Sequence, residues 1–484
     1  MASSVALSVL VSKDIFSRIA AYQHGMFFDV RPLETLEHVS SYNVQNSTSM
    51  TRGFRAGLAR ADTLLAPWYA VRGTSRIPCL FQWVKHTYDV VATHAAYFGK
   101  LAILEYLHEV YTIRFFRGLP LWDVAAANGH LHILAFLRGH EYSFPQYTLV
   151  DYEGLSRAMT WAAADGHAAT VEYLHSHNIP CDGSDAQSAA AEFGQLAILQ
   201  WLHARGIGQL TTWAMDKAAK NGHLDVLKWL HDHTNASCTT DAMDEAARHG
   251  HLDILQWLQN NRFEGATDAS IRYAAEGGHV DVLRWLFVHQ PPTSTSSRMP
   301  MEGAAQCGSL EAIQLLHDRG WPASKWVMGK AAGGGHLEVV QWLHGHRTEG
   351  CTTSAMDDAA GEGHLEVVQW LHHNRTEGCT RRAMDRALEY GHVEVVRWLI
   401  DNRQEGCSEL GIKYAVQTGR LDFVQWIRRH RGCQMCQLHH AIADARRFRH
   451  DDIALYLETG QPDACPCYAC AGVAKSKQAL CVVQ

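Results

Sequence analysis

The sequence predicts an all-α chain: a solenoid of stacked antiparallel helix pairs, about 12 repeats long, with a small helical region ahead of it. Three observations carry that prediction. A glycine recurs at Gly99, Gly129, Gly166, Gly194, Gly222, Gly250, Gly278, Gly308, Gly335, Gly363, Gly391 and Gly419, most often 28 residues apart. The same phrase returns around it, most cleanly as AAGGGHLEVVQWLH and AAGEGHLEVVQWLH. The apolar positions on both sides of the glycine keep a helical period.

Three regions follow: residues 1–85, the array at 86–460 and a Cys-rich flexible tail at 461–484. Residues 1–85 do not show the repeat and read as two or three helices around a polar linker at Ser40 to Ser49. Lys13 to Tyr22 is similar to the start of an F-box, which would imply an adaptor to a ubiquitin ligase. A simple cap with a polar outer face is the preferred reading of this region. Val5 to Val11 is apolar but follows no basic residue, so it makes a poor secretory signal. The sequons at Asn46 and Asn235 therefore carry little weight. No run approaches the roughly 20 apolar residues of a membrane span.

Counting from each repeat glycine as zero, most copies carry two alanines at −4 and −3, and Met159, Met215, Met243, Met301, Met328, Met356 and Met384 stand at −7. These positions share one face of a first helix and read as core. Thr211, Thr239, Thr267, Ser297, Ser324, Thr352, Thr380 and Ser408 stand at −11, where a hydroxyl caps the helix by accepting an orphan backbone N–H. The glycine ends that helix in the left-handed conformation, which only glycine adopts without a side-chain penalty. After it, apolar residues at +2, +4, +5 and +8 form the stripe of a second helix, and an Asp or Glu at +3 opposes the positive end of its dipole. The +7 residue is aromatic in eleven copies, among them Trp201, Trp229, Trp342 and Trp370, and reads as inter-repeat core.

The connections vary more. The longest, between Gly129 and Gly166, holds Tyr142, Phe144, Tyr147 and Tyr152, read either as a contact site or as a loop folded over the neighbouring helices. Pro291 and Pro292 open a Ser/Thr-rich loop that could be phosphorylated. Cys181, Cys238, Cys351, Cys379, Cys407 and Cys433 recur at one place in the repeat and read as loop packing. In the tail, Cys436, Cys465, Cys467 and Cys470 have zinc-like spacing, but an unliganded or palmitoylated tail stands ahead of a zinc site, so no metal is assigned.

The order Ala-Ala, two variable residues, Gly-His-Leu-Glu-Val-Val and an apolar pair resembles the ankyrin repeat over about residues 90–460. The resemblance implies curved stacks of helix pairs that recognise other proteins without chemistry. Two departures qualify it. The family's unit is about 33 residues with a β-hairpin finger, so fingers here should be trimmed to short loops. Its Thr-Pro-Leu-His opening is replaced by SAMD at Ser354–Asp357 and RAMD at Arg382–Asp385. Since first helices line the concave face of ankyrin proteins, the resemblance points to −5 and −2 as contact positions. These are Lys217 and Lys220, Glu245 and Arg248, Tyr273 and Glu276, Asp358 and Gly361, Arg386 and Glu389, and Tyr414 and Gln417.

A formal charge of −7 gives no basic field for nucleic acid. The 31 histidines include eight that directly follow a repeat glycine and seven at +9. Equivalent positions about 8–10 Å apart are too distant to share zinc, so these read as structural. An odd count of 13 scattered cysteines suits a reducing compartment, cytoplasmic or nuclear. No phosphate loop, HExxH or GxSxG motif occurs, and no catalytic residue or cofactor is expected. The sequence therefore predicts a monomeric, non-enzymatic scaffold for a protein or peptide, with the ligase adaptor as the alternative.

Overall fold

The computed structural model describes residues 52–84, 87–111, 119–140, 157–179, 181–292, 299–430 and 438–459, and the single positions 33, 36, 50 and 297. Outside the described residues lie the F-box-like stretch, the Ser/Asn linker, the loop with Tyr142, Phe144 and Tyr147, and the tail with Cys436, Cys465, Cys467 and Cys470. Among the described residues the regular elements are helices, with no strand. The chain divides into two compact units, Met1–Met243 and Asp244–Gln484.

The first unit opens with α1 (Arg52–Arg72) and α2 (Ile77–Trp83). Helix pairs follow: α3 (Thr87–Tyr97) with α4 (Leu101–Val110), α5 (Leu121–Ala127) with α6 (Leu131–Gly139), and α7 (Ala158–Ala164) with α8 (Ala168–Ser176). Next come α9 (Gly183–Glu192) with α10 (Leu196–Ala204) and α11 (Thr212–Lys220) with α12 (Leu224–His233). The division between the units falls inside α13 (Thr240–His249), whose partner is α14 (Leu252–Asn261).

The second unit continues with α15 (Ala269–Glu276) and α16 (Val280–His289), α17 (Met299–Cys307) and α18 (Leu310–Asp318), α19 (Lys325–Gly333) and α20 (Leu337–His346). It ends with α21 (Ser354–Gly361) and α22 (Leu365–Asn374), α23 (Arg381–Glu389) and α24 (Val393–Asn402), α25 (Glu409–Gln417) and α26 (Leu421–His430), and α27 (Leu438–Arg447) and α28 (Asp451–Thr459). Within each unit, first helices pack on first helices and second helices on second helices of the next pair. The loops between pairs form no hairpin finger among the described residues.

Each of the twelve pairs from α3/α4 to α25/α26 turns through its repeat glycine, with φ between 65° and 86°. The N–H of the following residue reaches back to the carbonyl at −4, as His364 does to Ala359 at 2.9 Å, closing a Schellman turn. A second reason for glycine comes from the next repeat. A Cβ on Gly363 would meet His392 Nδ1 at 2.5 Å, and one on Gly250 would meet His279 Nδ1 at 2.6 Å. The imidazole also anchors itself: His279 Nε2 bonds the Arg248 carbonyl at 3.0 Å, and His130 Nε2 bonds that of Tyr97 at 2.9 Å. A carbonyl only accepts, so these Nε2 atoms carry the proton. These two rings, like His336 on Gln306 and His450 on Gln417, thus satisfy a carbonyl at the end of the preceding first helix across the space a side chain would fill.

Among the described residues a further pair, α27 and α28, turns around Arg449, held at φ 62° where the others have glycine. Two expectations need correction. The +7 aromatics are half-buried rather than core. At about 100° per residue, +4, +5 and +8 centre on one direction and +7 lies on the flank of that stripe. Finally, two of the eight −11 hydroxyls do not cap. Thr211 accepts no backbone N–H, and Thr352 Oγ1 turns to Ser354 Oγ at 2.5 Å. The −7 methionines, the −4 and −3 alanines and the aliphatic +4, +5 and +8 positions form the core, for example Met356, Ala359, Ala360, Val367, Val368 and Leu371.

Gly391 separates the two demands on the glycine. Its φ is 79°, yet a Cβ there meets nothing within 4 Å, because Arg420 replaces histidine in the next repeat. Gly391→Ala should therefore cost only the left-handed strain of about 1–2 kcal/mol. Gly363→Ala should cost at least about 1 kcal/mol more, since His392 must also shift. Chemical unfolding of both variants, with far-UV circular dichroism as readout, checks the difference.

Candidate functional site

The first helices are registered by a side chain in the SAMD-type phrase. Asp357 at −6 accepts the Thr380 N–H and Oγ1–H, both at 2.7 Å, from the start of the next repeat's first helix. Asp216 does the same for Thr239, Asp244 for Thr267, and Asp385 for Ser408, while Glu302 takes the Ser324 hydroxyl at 2.6 Å. Each of those five hydroxyls in turn caps its own helix at 3.1–3.2 Å. The two failed caps follow repeats with Ser188 and Gly329 at −6, where no carboxylate receives the hydroxyl, although Ser297 caps at 3.4 Å after a repeat with Arg272 there. Burial raises the Asp357 and Asp385 carboxyls against the pull of these hydrogen bonds.

Held in this register, residues at −2 on one helix meet residues at −5 on the next. Arg248 stacks its guanidinium 3.6 Å from the Tyr273 ring and pairs with Glu245 at 3.4 Å. Arg272 covers the same ring at 4.1 Å and pairs with Glu276 at 2.9 Å. Further along the second unit, Arg386 bonds Asp358 at 2.5 Å and Glu362 at 3.0 Å. Burial, and then Glu389 against its hydroxyl, raise the Tyr414 phenol's pKa. Gln417 gives its carbonyl to His450 at 3.3 Å. In the first unit, Lys217 Nζ lies 5.0 Å from the Trp213 ring, and Lys220 is half-buried beside it. Gly361 is buried, whereas Glu276 and Glu389 are exposed and the remaining contact candidates are half-buried.

One part of this surface is absent from the −5 and −2 pattern. Position −9 lies one helical turn before −5 on the same face, and it exposes Trp213, Met299, Trp326 and Leu410. Its signal was a large apolar residue recurring at −9 in these four repeats, one turn ahead of Lys217, Gly303, Lys330 and Tyr414.

The second-helix side is engaged internally. At +9, His317, His344 and His372 set their rings edge-on to the next repeat's Trp342, Trp370 and Trp398, with centroids 5.1–5.3 Å apart. Arg347, Arg375 and Arg403 donate to the Nδ1 atoms of the same histidines at 3.0–3.4 Å. These arginines also clasp Glu349, Glu377 and Glu405 two residues on, and all three carboxyls are held below the usual range. Burial pushes the loop thiols up, Cys351 and Cys379 to about 11 and Cys181 to about 12. Among the described residues no three His, Cys, Asp or Glu are grouped to hold a metal ion. No helix among them is long and apolar enough to cross a membrane.

The family model described as ankyrin repeats (many copies) matches residues 215–259, 356–400 and 384–428. No curated protein matches the chain.

The Arg375 guanidinium holds the Glu377 carboxyl at about 2, against an ordinary 4.5. A lowered acid stabilises the fold above its ordinary pKa and loses that contribution as pH falls towards the folded value. Glu377→Gln should therefore flatten the loss of stability between about pH 4.5 and 2. Denaturation midpoints of both proteins across that window check this.

Proposed function

This chain is an ankyrin-repeat protein, and we propose that it is a non-enzymatic scaffold binding a protein or peptide along the first-helix face of its later repeats. The observation that carries the reading is a contrast within single helices. Core positions repeat almost unchanged, while −9, −5 and −2 of the later repeats are mostly exposed or half-buried and differ from repeat to repeat. Glu245, Arg248, Tyr273 and Glu276 offer an ion-paired aromatic platform, and Trp326 with Lys325, whose Nζ lies 5.5 Å from the ring centroid, offers an indole beside a cation. Asp358, Arg386, Glu389, Tyr414 and Gln417 supply mixed charge and hydrogen-bonding groups. Side chains of alternating sign favour a specific polypeptide over a polyanion. Aromatic residues pinned by neighbours suit them as anchors, because little rotamer freedom is lost on binding.

Glu245→Lys, Tyr273→Ala and Glu276→Lys together should remove partners captured by the full chain while leaving far-UV circular dichroism unchanged. Quantitative mass spectrometry of parallel captures reads the result. A folded triple variant that retains every partner at wild-type abundance contradicts this choice of face.

A further inference from the structure

The same face has a different character in the first three repeats. There the −5 and −2 positions are His94, Val124, Ala127, Trp161 and Ala164, all between 0% and 3% exposed, together with the half-buried Tyr97. Every residue of α5 and α7 is buried, including the sides that later first helices leave open.

Helix α1 packs on α3 at one end of this face and reaches Asp165, just past α7, at the other. Its stripe of Phe54, Leu58, Ala61, Leu65 and Trp68 is buried. Two polar contacts fix its course. Asp62 Oδ1 meets His94 Nε2 on α3 at 3.0 Å, and Arg55 Nη2 bonds both carboxylate oxygens of Asp165, which follows α7, at 2.9 and 2.6 Å. The contacts are one repeat apart on either side of α5, so α1 crosses the α5 layer. Arg55 and Asp62 are separated by about 10 Å of helix rise, and the length of the arginine side chain helps to span the remaining distance. This course along three repeats differs from that of a cap confined to the first one.

The seat is incompletely satisfied. Among the described residues, Trp68 Nε1, Tyr69 Oη and His94 Nδ1 are buried without a hydrogen-bond partner. Pro67 lies inside α1 and removes one of its backbone donors. Each orphaned group forfeits a bond it would make to water, and with Trp68 and Tyr69 on α1 and His94 on α3 the cost falls on both sides of this contact.

We propose that the first-helix face of the first three repeats is a groove for an amphipathic helix, which α1 occupies in cis as a displaceable ligand. The helix that replaces it carries the same features: large apolar residues at i, i+4, i+11 and i+14, a cation at i+1 facing Asp165, and an acceptor at i+8 facing His94. This surface is separate from the later-repeat face, so its test stands whether or not that face binds a partner.

The probe is a fluorescent peptide of residues 52–72. Added to the full chain carrying Leu58→Asp and Leu65→Asp, it should bind at least tenfold more tightly than to wild type, whose groove is filled. Adding Asp165→Arg to that chain should weaken binding at least fivefold, and Arg55→Glu in the peptide should restore it. A folded double variant that binds no peptide, or binds it regardless of residue 165, overturns the proposal. Hydrogen exchange on the unaltered chain provides a second test that needs no released variant. Amides of α1 should exchange through an opening of their own, well before those of α5 and α7. Equal protection in all three helices would mean that α1 is a permanent part of the core and would overturn the proposal.

Discussion

The fold depends on a contact between neighbours that excludes a side chain. An imidazole from one repeat lies against the previous repeat's glycine and bonds a last-turn carbonyl of its first helix, as in His279 with Gly250 and Arg248. Glycine meets two demands there: it adopts the left-handed turn, and it leaves room for the ring. The helix terminus is satisfied by the next repeat rather than by its own sequence, so the end of one unit is completed only when the following unit is in place. Where the following residue is not histidine, the contact changes accordingly. Gln195 lies against Gly166, and nothing lies against Gly391.

A second interlock works at the other end of the first helix. A buried carboxylate at −6 receives a backbone N–H and a hydroxyl from the next repeat, and that hydroxyl then caps its own helix. Charge-assisted bonds of this kind compensate for burying the carboxylate. The Arg-Xaa-Glu clasp in the connecting loop holds an arginine over the neighbouring histidine. Among the described residues these three devices hold consecutive pairs in register without hairpin fingers. They also leave one side of the first helices free to vary.

Much of this was legible in the sequence, because a solenoid repeats its core positions and varies its surface. The Gly spacing, the Met and Ala stripe and the aliphatic second-helix pattern each specify a helix face directly. The reason for histidine at +1 was not legible, since its partner carbonyl lies about 31 residues upstream and is a backbone atom. Asp357 appeared only as a departure from a familiar opening; its partner Thr380 lies 23 residues on. The last pair carries Arg449 where the others have glycine, yet it keeps the rest of the pattern. His450, Ile453, Ala454, Tyr456 and Leu457 match +1, +4, +5, +7 and +8 when counted from Arg449. The face of the first repeats was not legible either, because what buries Val124 and Trp161 is set by tertiary packing.

The most direct test of the glycine–imidazole interlock is a double-mutant cycle on Gly250→Ala and His279→Ala, followed by chemical unfolding of the four full-length proteins. If the ring and the absent Cβ share one space, Gly250→Ala should cost at least about 1 kcal/mol less once His279 is alanine, while the left-handed strain remains. If the two costs instead add to within about 0.3–0.5 kcal/mol, the glycine serves only its own turn, and the account of how one repeat completes the next is wrong.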